Sequence, residues 1–229
     1  MKTEQQSGYQ IWQKYGGEAQ VGQPILLGPH ISYEWRNSRR KIIFTAASYK
    51  FAMKMIGNMY EPDTKEILEL GCNDGFGTHF VAEFAKRVVG VDFDENAVEL
   101  ARKNIDDNNI EFICDDFLNK KYGEFDAVVS FDVIEHICPE NEDMFMQTVL
   151  NNLKNTGTLI LGTPTLEQQQ YAAECVVKSH INVYKGEDLY RMLKKYFHNV
   201  YLFTQNDEII HTGYLRMANG LIAVCANRK

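Results

Sequence analysis

Glu69-Leu70-Gly71-Cys72-Asn73-Asp74-Gly75-Phe76-Gly77-Thr78 is the stretch that decides the fold. It follows a β-like run at 66–70 and precedes a helical pattern over 78–86, so it forms a glycine-rich turn between a strand and a helix. Glycine tolerates φ > 0 and lets a backbone come close to a ligand. Such turns also occur in dinucleotide-binding enzymes and kinases, and spacing separates the cases. Dinucleotide binders favour G-x-G-x-x-G. Here Gly71, Gly75 and Gly77 follow Glu69, an acid two positions before the first glycine. An acid at that point repels a pyrophosphate and attracts a cation.

Around this turn, short apolar runs alternate with helical patterns, as in a parallel sheet flanked by helices. Strands are predicted at 66–70, 88–92, 110–114, 125–131, 157–162, 199–204 and 220–225, with helices at 95–104, 140–153 and 186–197. Asp94 is expected to cap the helix at 95–104. The fold class is α/β: a Rossmann-like, mostly parallel seven-stranded sheet with helices on both faces. Residues 164–184 carry no long apolar period and are expected to form an irregular insertion over the active site within a domain at 61–229. Residues 1–60 are expected to be a lid. They hold Tyr9, Trp12, Tyr15, Tyr33 and Trp35, a loop around Pro24, Gly28 and Pro29, and one helix over 41–58. The aromatic leader suits a hydrophobic cover or a dimer surface, so monomer and homodimer both stay open.

Composition narrows the function. The chain has 229 residues and a formal net charge of −7, from 24 Lys+Arg against 31 Asp+Glu. A nucleic-acid partner is not expected, because such proteins need a basic footprint to release counterions. The only basic cluster is Arg36, Arg39, Arg40 and Lys41, which a solvated helix face explains. No export segment or membrane span is expected, and the expected location is cytoplasmic. Five cysteines lack a CxxC pair, and Cys114, Cys138 and Cys225 adjoin apolar runs, so buried reduced thiols are expected. Without HExxH, EF-hand or clustered Cys/His spacing no metal site is expected, and Asp132 and Glu135 suit cofactor lining better than a metal.

Three further segments follow the turn. Val88-Val89-Gly90-Val91-Asp92-Phe93-Asp94 ends a strand in an acid that can accept both ribose hydroxyls of a nucleoside. Cys114-Asp115-Asp116-Phe117 offers a carboxylate for an adenine amino group, from Asp115 or Asp116, with Phe93 or Phe117 flanking the ring. Phe125-Asp126-Ala127-Val128-Val129-Ser130-Phe131-Asp132-Val133-Ile134-Glu135-His136 places a polar loop at the carboxyl edge of the sheet. In this order, the four segments resemble the class I S-adenosylmethionine-dependent methyltransferase family, in the small-molecule branch similar to ubiquinone O-methyltransferase-like enzymes. The resemblance covers about residues 65–163, with a weaker match at His180-Ile181-Asn182-Val183-Tyr184-Lys185-Gly186-Glu187-Asp188-Leu189.

The resemblance implies S-adenosyl-L-methionine as cofactor and S-adenosyl-L-homocysteine as product. Glu69, Gly71, Cys72, Asn73 and Gly75 would line its methionine and ribose end, although Cys72 is also a simple packing residue. Asp92 would hold the ribose, Asp115 or Asp116 the adenine, and Phe131 and Asp132 the methionine moiety. The N-terminal helix would reach the cofactor carboxylate from among Tyr33, Arg36, Arg40, Tyr49 and Lys50. Asn73 stands where the family usually has glycine, and asparagine best tolerates that left-handed backbone.

Methyl transfer is an in-line displacement from a leaving group already activated by charge, so positioning dominates. A hydroxyl or protonated amine acceptor also needs a base, for which imidazole is suited. His136 and His180 are the expected candidates, with His211 behind them. The expected acceptor is a small molecule, and the basic leader suits a phosphorylated or sugar-linked metabolite. The alternatives are a nicotinamide-dependent oxidoreductase and a non-catalytic S-adenosylmethionine-binding protein.

Overall fold

The computed structural model describes residues 7–16, 25–213 and 215–229. The expected leader residues 1–6 and 17–24, Pro24 among them, lie outside the described residues.

Eight strands form one sheet: β1 (Glu66–Leu70), β2 (Arg87–Asp92), β3 (Ile110–Cys114), β4 (Phe125–Phe131), β5 (Leu153–Pro164), β6 (Phe197–Gln205), β7 (Ile210–His211) and β8 (Gly220–Arg228). Their order is β3-β2-β1-β4-β5-β8-β6-β7. β1 to β5 run parallel, while β8 is antiparallel to β5 and β6. The strand beyond the expected seven is β7, which pairs Thr204 with His211 and Gln205 with Ile210. Two residues are too few to show an alternating pattern.

The helices are α1 (Gly8–Gly16), α2 (Pro29–Asn37), α3 (Arg39–Ile56), α4 (Phe76–Ala82), α5 (Glu95–Asn104), α6 (Glu142–Asn152), α7 (Glu174–Ser179) and α8 (Gly186–Leu193). The expected helix at 41–58 is thus preceded by α2, whose first turn holds Pro29 and which Ser38 (φ −152°) separates from α3. The helix expected to reach residue 197 stops at Leu193, because Phe197 already begins β6. The expected irregular insertion has structure: a 3₁₀ turn at Glu167–Tyr171, then α7, closed by a bridge between Thr165 and Tyr184.

Side-chain alternation along the strands assigns the layers. Leu68 and Leu70 face a core built with Phe145, Met146 and Val149 of α6 and Leu189, Met192 and Leu193 of α8. Ile67 points the other way, into a core with Tyr49, Ala52 and Ile56 of α3 and Val81 and Ala82 of α4. Val98 and Ala101 of α5 join Cys72 and Phe112 in a third cluster. Each such large apolar side chain contributes roughly 1.5–3 kcal/mol on burial. Glu69 shares the parity of Ile67, so this strand directs an acid toward α3 and α4.

The expectation for cysteines holds at Cys72 and Cys225, which are buried, and fails at Cys114 and Cys138, which are exposed along with Cys175. Cys114 ends the edge strand β3, and Cys138 precedes the 3₁₀ turn at Pro139–Asn141. Among the described residues no helix is long and apolar enough to cross a membrane.

Candidate active site

Strand order reverses between β1 and β4, which opens a crevice at the carboxyl ends of the parallel strands. The glycine turn lines it. Gly71 and Gly75 take φ of 82° and 78°, and a Cβ on Gly71 would lie 2.2 Å from Val133 Cγ2. Asn73 adopts φ 48°, the left-handed geometry the sequence required of it. Its Oδ1 accepts from the Asp74 N–H at 2.7 Å and its own N–H donates to Asp92 Oδ2 at 2.9 Å. Asp92 Oδ1 accepts from the Asp94 N–H at 2.9 Å. Two backbone donors therefore fix the Asp92 carboxylate, and each oxygen keeps a lone pair.

Glu69 is fully buried. Its Oε1 accepts from the Tyr49 hydroxyl and its Oε2 from the Thr78 hydroxyl, both at 2.5 Å. Burial pushes its carboxyl up to about 7, the two hydroxyls oppose that shift, and Asp92 and Asp74 reinforce it. Burial and the Glu69 charge raise the Tyr49 phenol well above its ordinary value. Tyr49, expected to touch the cofactor, is a buried prop: it holds Glu69 and packs edge-on against Phe131 at 4.9 Å.

Three other expected site residues are engaged by neighbouring side chains. Phe117 is buried against Phe145, with ring centroids 6.2 Å apart, as part of the core under β3. The Cys72 side chain packs among Val98, Ala101 and Phe112, so only its backbone faces the turn. Asp115 Oδ1 is paired with Lys120 and its Oδ2 accepts from the Tyr122 hydroxyl at 2.9 Å. The Lys120 and Tyr122 bonds hold its carboxyl below the usual range. Asp116 is exposed and accepts only from the Leu118 N–H, at 3.2 Å. Phe93, next to Asp92 in the chain, is also exposed.

Asp132 has φ 54° and donates its N–H to the Gly162 carbonyl at 3.0 Å. Its side chain is exposed; neighbouring protein atoms raise its carboxyl, while His30, Lys41 and His136 lower it. His136 and His180 stand edge-to-face, 4.9 Å between centroids. Burial, then the charges of His136 and Lys41, push His180 down to about 4. His211 lies in edge strand β7, 3.4 Å from Asp207 and remote from β1 and β4. Tyr33, Arg36, Arg40 and Lys50 are exposed.

Comparison with known proteins matches residues 67–157 to a family model described as a methyltransferase domain. Phosphoethanolamine N-methyltransferase of Plasmodium falciparum is 30% identical over 112 residues, 47% of this chain and 42% of that protein. The mitochondrial ubiquinone biosynthesis O-methyltransferase of Rattus norvegicus is 32% identical over 124 residues, 51% of this chain and 35% of that protein. Over residues 67–157 the chain is similar to methyltransferase domains of the S-adenosylmethionine-dependent class. Among solved structures, the N-methyltransferase NodS from Bradyrhizobium japonicum WM9 shares the fold, with a TM-score of 0.56 at 16% identity over 79% of this chain and 94% of that one. The chain spans well under half the length of the two curated relatives.

The matched methyltransferase segment contains Glu69, the glycine turn, Asp92, Asp116, Asp132 and His136, whereas Tyr49, α2 and His180 lie outside it. Its donor set fits S-adenosylmethionine. Glu69, Asp74, Asp92 and Asp132 come from the glycine turn and the ends of β1, β2 and β4, and Asp74 Oδ2 is buried without a partner among the described residues. Sequence reasoning missed Asp74. Burial raises its carboxyl, partly offset by the Phe76 N–H and by His30. Gly28, before α2, sits so close that a Cβ there would lie 1.8 Å from Asp74 Oδ2. The segment leading into α2 thus packs against the glycine turn, and Asn104 anchors it by accepting from the Leu26 N–H at 3.3 Å and donating to its carbonyl at 2.6 Å. Only the Asn-Asp-Gly run signalled Asp74, as a turn.

Proposed function

We propose that this chain binds S-adenosylmethionine along the carboxyl edge of β1, β2, β3 and β4 and transfers its methyl group to a small anionic acceptor. The observation that carries this reading is the Asp92 carboxylate, aimed by the Asn73 and Asp94 N–H groups at the end of β2. It is suited to accept both ribose hydroxyls. In this reading Gly71 and Gly75 let the donor approach, and Asp116, with fewer ties than Asp115, takes the adenine amino group. Phe93 flanks the ring. Asp132 faces the methionine ammonium, and Glu69 supports it from below, held by Tyr49 and Thr78. The lid is residues 1–60 and the catalytic domain 61–229.

In the transfer, a bond forms from the acceptor oxygen or nitrogen to the methyl carbon as the sulfur–carbon bond breaks. The sulfonium leaves as a neutral thioether, and the acceptor loses its proton. Geometry fixed by the crevice supplies most of the acceleration. His136 and His180 bring imidazole nitrogens to the acceptor end, near Lys41 of α3, whose charge acts on His180. A basic lid over an acidic donor site supports an anionic acceptor, as does the likeness to a phosphoethanolamine N-methyltransferase. The net charge of −7 argues against a nucleic-acid acceptor.

Incubation with methyl-tritiated donor and a panel of small amines and hydroxyl compounds, each with and without a phosphate, tests the acceptor. Label is expected in the phosphorylated members, at rates at least tenfold above their neutral counterparts. Transfer to neutral, lipophilic members alone would overturn the anionic assignment, and silence across the panel would favour a binding-only protein.

A further inference from the structure

Glu135, His136 and His180 each bring one ligand-capable atom to a common point, all within 4.8 Å of one another. Ligands about 2.0–2.2 Å from one ion stand at most about 4.4 Å apart, so a slight turn of one ring closes the set. Two elements build it. Glu135 and His136 belong to the 3₁₀ turn Ile134–His136 after β4, and His180 follows α7. The Ile181 and Asn182 N–H groups donate to the Glu135 carbonyl at 2.8 and 3.0 Å, which stitches the two segments together.

The hydrogen bonds around the cluster present lone pairs inward. His136 Nδ1 lies 2.9 Å from the Ser179 carbonyl, so that nitrogen carries the hydrogen and Nε2 is a free base. His180 Nδ1 lies 3.1 Å from the Gln169 amide. Gln169 Oε1 is itself buried without a partner, and a half-turn of the amide lets it accept from His180 Nδ1 and leaves Nε2 open. The independent observation is Glu135. It is fully buried, its Oε2 accepts from Thr163 Oγ1 at 3.1 Å, and its Oε1 has no partner among the described residues. A buried carboxylate oxygen without a donor is costly, and a cation beside it removes that cost.

We propose that Glu135, His136 and His180 hold a divalent transition-metal cation beside the donor site, leaving open positions for the acceptor's oxygen. Two imidazoles and a carboxylate suit zinc, manganese or ferrous ions better than magnesium or calcium. No ligand spacing announced the site because His180 comes from a segment distant from Glu135 and His136. The use of the ion rests on the methyl-transfer reading above; its binding does not. An acceptor hydroxyl on the cation becomes more acidic and loses its proton to solvent. The oxygen then attacks the methyl carbon as the sulfur–carbon bond breaks. The two imidazoles act as ligands in that step, not as the base.

Cobalt(II) titrated into chelator-stripped full chain tests the site by its visible absorption bands. Saturation at one equivalent is expected, with affinity at least tenfold weaker in His136→Ala, Glu135→Gln and His180→Gln. S-adenosylhomocysteine affinity in the same variants should stay within about threefold. Should the variants at 135 or 136 fail to fold, His180→Gln decides, since its side chain is only half-buried. No saturable binding, or binding unchanged in the folded variants, overturns the proposal. Cobalt binding without homocysteine-product binding would instead overturn the donor assignment and leave the metal site standing.

Discussion

Burial of Glu69 ties the stability of the fold to pH. Its carboxyl rises from an ordinary 4.5 to about 7 in the folded protein, mainly through burial. The folded state therefore holds a proton that the unfolded chain releases, and stability should fall as pH climbs between those values. The loss should reach up to about 3 kcal/mol, and Glu69→Gln should flatten it. Denaturant unfolding of both proteins at several pH values between 4.5 and 8 measures this, and parallel profiles would contradict it. Residue by residue, legibility tracked backbone chemistry. Asn73 was readable because few side chains tolerate its φ of 48°. Asp115 and Asp116 were not separable, since the choice depends on Lys120 and Tyr122 folding back onto the first of them. Tyr49 was readable as important but not as a prop, because its partner Glu69 comes from another element.

At the scale of elements, the contact between α3 and α4 sets the floor of the donor site. Gly77 permits it: a Cβ there would fall 1.8 Å from Tyr49 Cζ. Gly77→Ala should therefore force the buried Tyr49 ring away from Glu69 and cost about 1–3 kcal/mol. Chemical denaturation reads the loss. Combined with Tyr49→Phe, the change should be markedly less than additive, because both variants break one Tyr49–Glu69 contact. Strict additivity would mean the ring does not move. The parallel strands were legible because their Val- and Ile-rich runs lie buried between helical layers. β7 was not, and neither were the turn and helix inside 164–184, whose short lengths leave no period to detect. The position of α2 over Asp74 depends on a long-range approach of Gly28 that local pattern does not encode.

Across the whole molecule, an acidic chain gathers four carboxylates at the mouth of a sheet whose strand order reverses there. Such an edge discriminates by charge. It accommodates a sulfonium-bearing nucleoside and resists a dinucleotide pyrophosphate. The order of motifs along the chain made three of the four carboxylates legible before any coordinates, since Glu69, Asp92 and Asp132 stand at the carboxyl ends of β1, β2 and β4, whereas Asp74 lies in the turn. The cover above it and the His136–His180 pairing were not, because both depend on how distant segments fold over the crevice. Calorimetric titration of S-adenosylhomocysteine, and separately of NAD, into the wild-type chain and Asp92→Ala addresses the donor assignment. One site for S-adenosylhomocysteine is expected in the wild type, weakened at least tenfold (about 1.4 kcal/mol) in the variant, with no heat from NAD. No heat from S-adenosylhomocysteine with folded protein, or equal binding of NAD, would contradict it.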